Sequence, residues 1–239
     1  MTVFSTDETP RSTAALRTKR LTHRLIAHHL VLMIAAVLTV CVLYVTRPSH
    51  DAIMKASFST AYPAFVLLVA TLLIGPWNLL RGRRTPVSSD LRRDIGIWAA
   101  ILGIVHSGIG LFVHLRGRPW LYFIYPRNQH HSFPLRHDLF GFANDTGSIA
   151  TIILVLLFVT SNDYALRALG TPRWKQLQRW NYLLFLLALL HAAAYQIIEK
   201  QHMPFVLTVV ACAGATLLMQ ALGYQRRRAR DISPNQVQV

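Results

Sequence analysis

Charged residues are scarce in this chain of 239 residues, and acidic ones are the scarcest. Only 15% of the residues are Asp, Glu, Lys or Arg, whereas a soluble domain has about a quarter. Ten acidic side chains stand against 25 basic ones, which gives a net charge of +15. In a soluble protein this excess would suggest a nucleic-acid partner. Here the basic residues cluster between apolar runs, which is typical of a membrane topology signal, so we expect no nucleic-acid partner.

Cysteines and the common catalytic motifs are also missing. The two cysteines, Cys41 and Cys212, both lie within apolar runs, which argues against a disulfide framework and a cysteine-based metal site. The sequence contains no Walker loop, dinucleotide fingerprint, cysteine-pair zinc site or hydrolytic triad. What remains is a chain that is 53% hydrophobic.

Six apolar runs are each long enough to cross a bilayer, which takes about 20 residues. They cover residues 25–46, 58–80, 94–114, 144–161, 178–200 and 204–224. We therefore predict an all-α polytopic membrane protein, with a six-transmembrane-helix bundle over residues 25–225 and polar tails at 1–24 and 226–239. Eighteen of the 25 Lys and Arg residues lie in the tails and in the second and fourth connections, so the positive-inside rule places both termini in the cytoplasm.

Two of the runs contain a single histidine near their middle. His106 lies thirteen residues after Arg93, and His191 lies twelve residues after Arg179. At 1.5 Å per residue, both rings are about 18–20 Å from the charged ends of their helices. Since the third and fifth of six spans run in the same direction, the two imidazoles share one depth in the bilayer. An ionisable side chain within a span is usually functional, and this geometry suits a haem with two histidine ligands.

Small residues flank both histidines on their own helix faces. Gly103 and Gly110 lie three residues before and four residues after His106, which leaves space for a large flat ligand or for a close neighbouring helix. The fifth run has a similar pair, Ala188 and Ala194. A lone intramembrane histidine is often a hydrogen bond between helices, so the haem hypothesis depends on the pair. Two imidazole ligands favour electron transfer over oxygen chemistry at the iron.

Three further histidines have open roles. His28 and His29 lie at the basic edge of the first run, where we expect them to reach the headgroups. A place beside a cofactor or quinone is the alternative. His114 lies near the outer boundary of the third run, where it would either replace His106 as a ligand or lie near the haem edge.

The longest loop, 115–143, contains aromatic residues and a cluster of titratable ones, His130, His131, His137 and Asp138. A solvated loop with incidental histidines is the favoured interpretation. A metal site or a contact with an external electron acceptor is the alternative. Arg127 and Arg136 are candidates for pairing with haem propionates.

Three segments resemble the ferric reductase-like transmembrane domain family. They are RRDIGIWAAILGIVH at 92–106, GFANDTGSIATIILVLLFVTS at 141–161, and the stretch from Trp174 through LQRW to LLALLH, which ends at His191. Within this family, the likeness is closest to the haem-binding membrane subunits of bacterial periplasmic methionine sulfoxide reductase systems. The resemblance covers about residues 75–200.

The resemblance implies six helices, b-type haem, and electron transfer either across the membrane or from quinol to the periplasm. His106 and His191 match haem-ligand positions of the family. Many members have another histidine on the fifth helix where this chain has Gln178, and Arg93 lies at the matching depth of the third span. We therefore expect one haem b rather than two, with quinone as a possible second cofactor.

The favoured hypothesis is a cytochrome of the bacterial inner membrane. It relays electrons from quinol or a separate reductase protein to an acceptor at the outer face. A haem-free transporter or assembly protein is the runner-up, with the histidines used for helix packing or proton movement. A third hypothesis is a direct ferric reductase that uses the histidines of the outer loop.

Overall fold

The computed structural model describes Thr22 and residues 25–83, 90–115, 118–127 and 131–232. Within these ranges, helices are joined by turns and loops, and the only β-structure is one isolated antiparallel bridge between Ile124 and Leu135. The α-helices are α1 (Val31–Thr46), α2 (Ala52–Leu80), α3 (Asp90–Gly110), α4 (Leu139–Val159), α5 (Asp163–Gln178), α6 (Trp180–Ile198) and α7 (Met203–Ile232). A π-helical turn, Leu25–Leu30, precedes α1, and a short 3-10 turn, Pro119–Tyr122, lies between α3 and α4. The all-α prediction is confirmed.

Polar caps start two of the apolar helices earlier than we predicted from the sequence. The Asp51 carboxylate accepts hydrogen bonds from the backbone N–H groups of Ile53 and Met54, so α2 begins at Ala52 rather than near residue 58. Asp138 accepts from the N–H of Gly141 in the same way. The helix α4 therefore begins at Leu139 rather than at 144. Such caps satisfy N–H groups that have no partner within the helix.

The helix α2 lies at the centre of the bundle, where it packs against α1, α3 and α7. Because it begins at Ala52, Pro63 lies well inside it. Pro76, nearer its end, lies against Gly223 of α7. A Cβ atom at Gly223 would lie 3.1 Å from the Cβ of Pro76, so glycine allows α2 and α7 to approach closely.

The core joins five helices, whereas large apolar side chains cover much of the outer surface. Its buried members are Phe65, Leu68, Val69, Leu72, Ala99, Ala150, Ile153, Leu157, Leu184, Phe185 and Val209. On the outside, Val45, Ile152 and Leu217 are 75%, 68% and 69% exposed. Water does not favour so much exposed apolar surface, but a bilayer does.

Five stretches of helix are long and apolar enough to cross a membrane: Ile26–Thr46, Ala52–Leu80, Leu139–Val159, Asp163–Ile198 and Met203–Ala229. The fourth comprises α5 and α6. The His106 helix, α3, is not among the five, and its first turns contain the charged residues Asp90, Arg92, Arg93 and Asp94. The structure therefore supports an integral membrane protein, with five candidate spans in its described part.

Two connections differ from the sequence prediction. The stretch 162–178, expected as a short basic connection, forms α5, which is kinked at Gly170 (φ +71°). The third predicted span ends at Gly110 rather than at His114. The Tyr122 hydroxyl donates to the Gly110 carbonyl at 3.0 Å and accepts from the His114 N–H at 2.9 Å. His114 therefore does not continue the helical face of His106.

The predicted tails lie largely outside the described residues. The structure describes neither 1–21 nor 233–239. The helix α7 continues to Ile232, so the first part of the predicted tail at 226–239 is helical.

Candidate functional site

The two histidines that stand out in the sequence lie side by side. His106 is on α3 and His191 on α6, and their ring centres are 6.1 Å apart with an angle of 74° between the ring planes. This placement agrees with the shared depth that we predicted for the two imidazoles by counting residues from Arg93 and Arg179. Whether the two side chains bind a metal stays a prediction.

Backbone carbonyls determine which nitrogen of each histidine ring carries the proton. The Nδ1 atom of His106 lies 3.0 Å from the carbonyl oxygen of Ser57, and that of His191 lies 2.7 Å from the carbonyl oxygen of Ala143. A carbonyl oxygen only accepts, so each Nδ1 must carry the proton and donate it. In a neutral imidazole the Nε2 atom then keeps its lone pair, which is free to bind a metal.

Gly147 allows His191 to reach its carbonyl partner. A Cβ atom at this position would lie 2.5 Å from Nδ1 and 2.8 Å from Cε1 of His191, distances that real Cβ atoms do not adopt. The sequence analysis missed Gly147. The available signal was its spacing of four residues from Ala143, because two small residues at this spacing let transmembrane helices approach closely.

A cavity of about 440 Å³ adjoins both rings, within the range of roughly 300–1,000 Å³ typical of ligand sites. Gly103 and Gly110 line it, but they serve different purposes. A Cβ atom at Gly103 would lie 2.6 Å from Leu154, whereas the nearest atom at Gly110 is 4.0 Å away. Gly103 therefore admits a neighbouring helix, and Gly110 borders open space. Of the two flanking alanines, Ala188 lines the cavity, whereas Ala194 is buried and does not.

The polar groups deep in the cavity are paired with one another. Ser107 and Thr151 share a hydrogen bond of 2.8 Å between their hydroxyl oxygens. The Tyr195 hydroxyl donates to the side-chain oxygen of Asn144 at 2.9 Å. The remaining lining is mainly apolar, which suits a largely apolar ligand held by a few polar contacts.

Charged side chains stand at the mouth of the cavity. The His114 Nε2 atom lies 3.1 Å from a carboxylate oxygen of Glu199, and Arg47 donates to Gln201 at 2.9 Å. The Nε atom of Arg47 is buried and has no hydrogen-bond partner among the described residues. Arg47 is thus a candidate partner for an acidic group of a ligand, and the sequence analysis had not identified it.

The two arginines that the sequence analysis offered for this role lie elsewhere. Arg136 forms an ion pair with Asp138 at 2.6 Å and donates to the carbonyl oxygen of Leu121. Hydrogen bonding from Arg136 holds the pKa of Asp138 below its usual range. Arg127 is exposed. Neither arginine lines the cavity.

His28 and His29 turn toward a buried carboxylate rather than toward headgroups. The His28 Nδ1 atom lies 2.7 Å from one oxygen of Asp94, and the His29 Nε2 atom lies 3.3 Å from the other. Asp94 is fully buried. The two histidines therefore connect the start of the chain's first helical stretch to α3, and they do not line the cavity of His106 and His191.

The loop histidines form no metal site in the described part of the chain. His131 stacks on Tyr125 with ring centres 3.6 Å apart, and His137 meets the edge of the same tyrosine ring. Among the residues that the structure describes, no group of three or more His, Cys, Asp or Glu side chains has the geometry for a metal ion. His130 lies outside the described residues.

Comparison with known families defines the class of the protein. A family model described as "Ferric reductase like transmembrane component" matches residues 60–189, more than half of the chain. The chain therefore belongs to this family of membrane proteins. The matched region includes His106 and ends two residues before His191.

Individual relatives show which members of the family the chain is similar to. The chain is similar to the "Protein-methionine-sulfoxide reductase heme-binding subunit MsrQ" of Yersinia pseudotuberculosis serotype O:1b (strain IP 31758) and of Yersinia pestis (strain Pestoides F). Each is 30% identical over 155 residues, which cover 60% of this chain and 64% and 63% of the relatives. The match thus spans slightly less than two thirds of their length. No solved structure matches the chain.

Proposed function

We propose that this chain is a b-type cytochrome of the membrane, which relays electrons through one haem held by His106 and His191. The observation that carries the proposal is the pair of imidazoles beside one cavity, with ring centres 6.1 Å apart. The Nδ1–H group of each ring donates a hydrogen bond to a backbone carbonyl oxygen. Family membership and the description of the relatives as heme-binding subunits support the same assignment.

The separation of the rings fits a metal held between them. A bond from a metal to an imidazole nitrogen is about 2 Å long, and the ring centre lies about 1 Å further on. The ring centres of His106 and His191, 6.1 Å apart, are therefore close enough for both side chains to hold one iron.

The surrounding residues prepare the two nitrogens for this role. The carbonyls of Ser57 and Ala143 hold the rings in one tautomer and orientation, and such bonds make the other nitrogen a better ligand. The lining of the cavity is mainly apolar, as an apolar macrocycle requires. When bound, haem b would supply a one-electron carrier, and His106 and His191 would be the side chains that hold it.

We further propose that the chain holds one haem only. Arg93 and Gln178, at the positions where the family resemblance would place a second ligand pair, line a different cavity. Neither side chain is a haem ligand. His28 and His29, the other histidines near that end of the described bundle, are engaged with Asp94.

We propose that α3 also crosses the membrane, which brings the number of spans to six. Its 21 residues make a helix of about 31 Å, which matches a hydrocarbon core of about 30 Å. Six spans place both termini in the cytoplasm of a bacterial inner membrane by the positive-inside rule. His106 is four residues from the end of α3, so the site then lies nearer the outer face.

The electron donor in the proposal is quinol or a separate reductase protein, and the acceptor is a protein at the outer face. The name of the relatives points to a methionine sulfoxide reductase as that acceptor.

A spectrum of the purified protein, oxidised and then reduced with dithionite, tests the assignment. We expect the bands of a low-spin haem b in the wild type. The double variant His106→Ala/His191→Ala should lose them, whereas His114→Ala should keep them. Absence of haem bands from the wild type would refute the proposal, and so would unchanged bands in the double variant.

The haem-free alternative has one observation in its favour. The bond from His106 joins α3 to α2, and the bond from His191 joins α6 to α4, so both histidines also serve helix packing. If packing were their whole role, the wild-type protein would show no haem absorbance. His106→Ala would then change only the thermal stability, which it would lower.

A further inference from the structure

A second cavity, of about 920 Å³, lies at the opposite end of the described bundle. Its inner wall is apolar and is formed by Leu68, Leu72, Ala99, Ala100, Leu154, Leu157 and Leu184. Leu68, Ala99, Leu154 and Leu184 also line the cavity of the two histidines. The two cavities are thus separated by a wall about one side chain thick.

Basic side chains surround the rim of this second cavity. They come from α3, α5 and α7 and from the junction of α5 with α6: Arg92, Arg93, Lys175, Arg179 and Arg227. Two carboxylates, Asp90 and Asp163, line the same cavity, and Asp163 pairs with Arg93 at 2.6 Å. Five cations against two anions leave an excess of three positive charges.

Two buried donors of the cavity have no acceptor in the described part of the chain. They are the Nε2 atom of Gln178 and the Nε atom of Arg93. A buried donor without a partner is unfavourable. A ligand with acceptor oxygens would satisfy both donors, and the excess of positive charge would favour an anionic one.

From these features we propose that the second cavity binds an anionic amphiphile, with a phosphate head at the basic rim and an apolar body against the inner wall. Basic pockets between membrane helices bind the phosphate heads of anionic lipids, and the arginine fork matches phosphate oxygens in geometry. The chemistry of head and body together distinguishes such a ligand from free phosphate, which lacks the apolar part. This inference does not depend on haem binding.

Native mass spectrometry of the full chain in neutral detergent tests the proposal. The protein is titrated with phosphatidylglycerol, phosphatidylcholine and inorganic phosphate in separate experiments. We expect phosphatidylglycerol to bind more tightly than either of the others. The double variant Lys175→Gln/Arg179→Gln removes two rim cations and should weaken phosphatidylglycerol binding on the order of 30-fold, at about fivefold per cation.

Arg167 and Arg173 provide a matched control. Both are exposed on α5 and neither lines the cavity, so Arg167→Gln/Arg173→Gln makes the same change in net charge. This control should bind phosphatidylglycerol like the wild type.

A second pair of variants comes from α7. Arg227 lines the cavity and its neighbour Arg226 does not. Arg227→Gln should weaken binding about fivefold, and Arg226→Gln should leave it unchanged. This pair gives an answer even if the first double variant does not fold.

Three results would overturn the proposal. The first is equal binding of phosphatidylglycerol and phosphatidylcholine by the wild type. The second is equal loss in the cavity variants and in their controls. The third is equal affinity for inorganic phosphate and phosphatidylglycerol, because the apolar wall would then contribute nothing to binding.

Discussion

Replacing Gly147 with alanine should disturb the site without touching a proposed ligand. The new Cβ atom would lie 2.5 Å from Nδ1 and 2.8 Å from Cε1 of His191, so the ring has to move. Its hydrogen bond to the Ala143 carbonyl, 2.7 Å long, would then be lost or distorted. Changing a partner that orients a metal-binding histidine typically costs about 10–100-fold in metal affinity, and we expect haem affinity to fall by a similar factor.

Gly108→Ala is the matched control for this prediction. It makes the same change two residues from His106, where a Cβ atom would meet nothing within 4 Å. Haem content per protein is measured from the reduced spectrum at increasing dilution, beside thermal unfolding of both variants. The overpacked Gly147→Ala should also unfold more easily, by about 1–3 kcal/mol. Equal haem retention in the two variants would show that the orientation of His191 by Ala143 does not matter.

Three further predictions concern the scaffold. Gly103→Leu should destabilise the protein whether or not haem is bound, because even a Cβ atom there lies 2.6 Å from Leu154; a loss of haem without a lower unfolding temperature would contradict this. Tyr122→Phe removes the hydroxyl that bonds the end of α3 at Gly110, and should lower the free energy of unfolding by about 1–3 kcal/mol, as measured by thermal unfolding. Because the folded pKa of Asp138 is below its ordinary 3.8, its stabilisation should be complete above that value and decline as the pH falls through the folded pKa. Asp138→Asn should flatten this acid limb in a series of thermal unfolding measurements, and an unchanged limb would contradict the assignment.

The histidine pair was predictable from the sequence, because an ionisable residue in an apolar run stands out and because counting from Arg93 and Arg179 gives its depth. The carbonyl partners were not predictable. Every residue has a carbonyl, and only the packing of α3 on α2 and of α6 on α4 selects those of Ser57 and Ala143.

The predicted starts of two helices were wrong, because a capping residue sets where each helix begins. The starts of α2 and α4 were predicted near 58 and at 144, but Asp51 and Asp138 cap helices that begin at Ala52 and Leu139. The sequence analysis also treated the basic stretch 162–178 as a connection, whereas the structure forms α5 there. Charge and a low mean hydropathy exclude a residue from the bilayer, but they do not exclude it from a helix.

Contacts between distant residues were beyond the reach of sequence patterns. His28 and His29 were expected at the headgroups because nothing in the first apolar run indicates Asp94, which lies more than sixty residues later in the chain. Arg47 was missed for the same reason, since its position at the cavity mouth depends on how α1 and α2 pack.

The ratio of haem to protein tests the central proposal most directly, because it depends on both histidines sharing one iron. We predict a ratio near one in the purified wild type and near zero in His106→Ala/His191→Ala, with His114→Ala near the wild-type value. A ratio near zero or near two in the wild type, or near one in the double variant, would contradict a single haem held between α3 and α6.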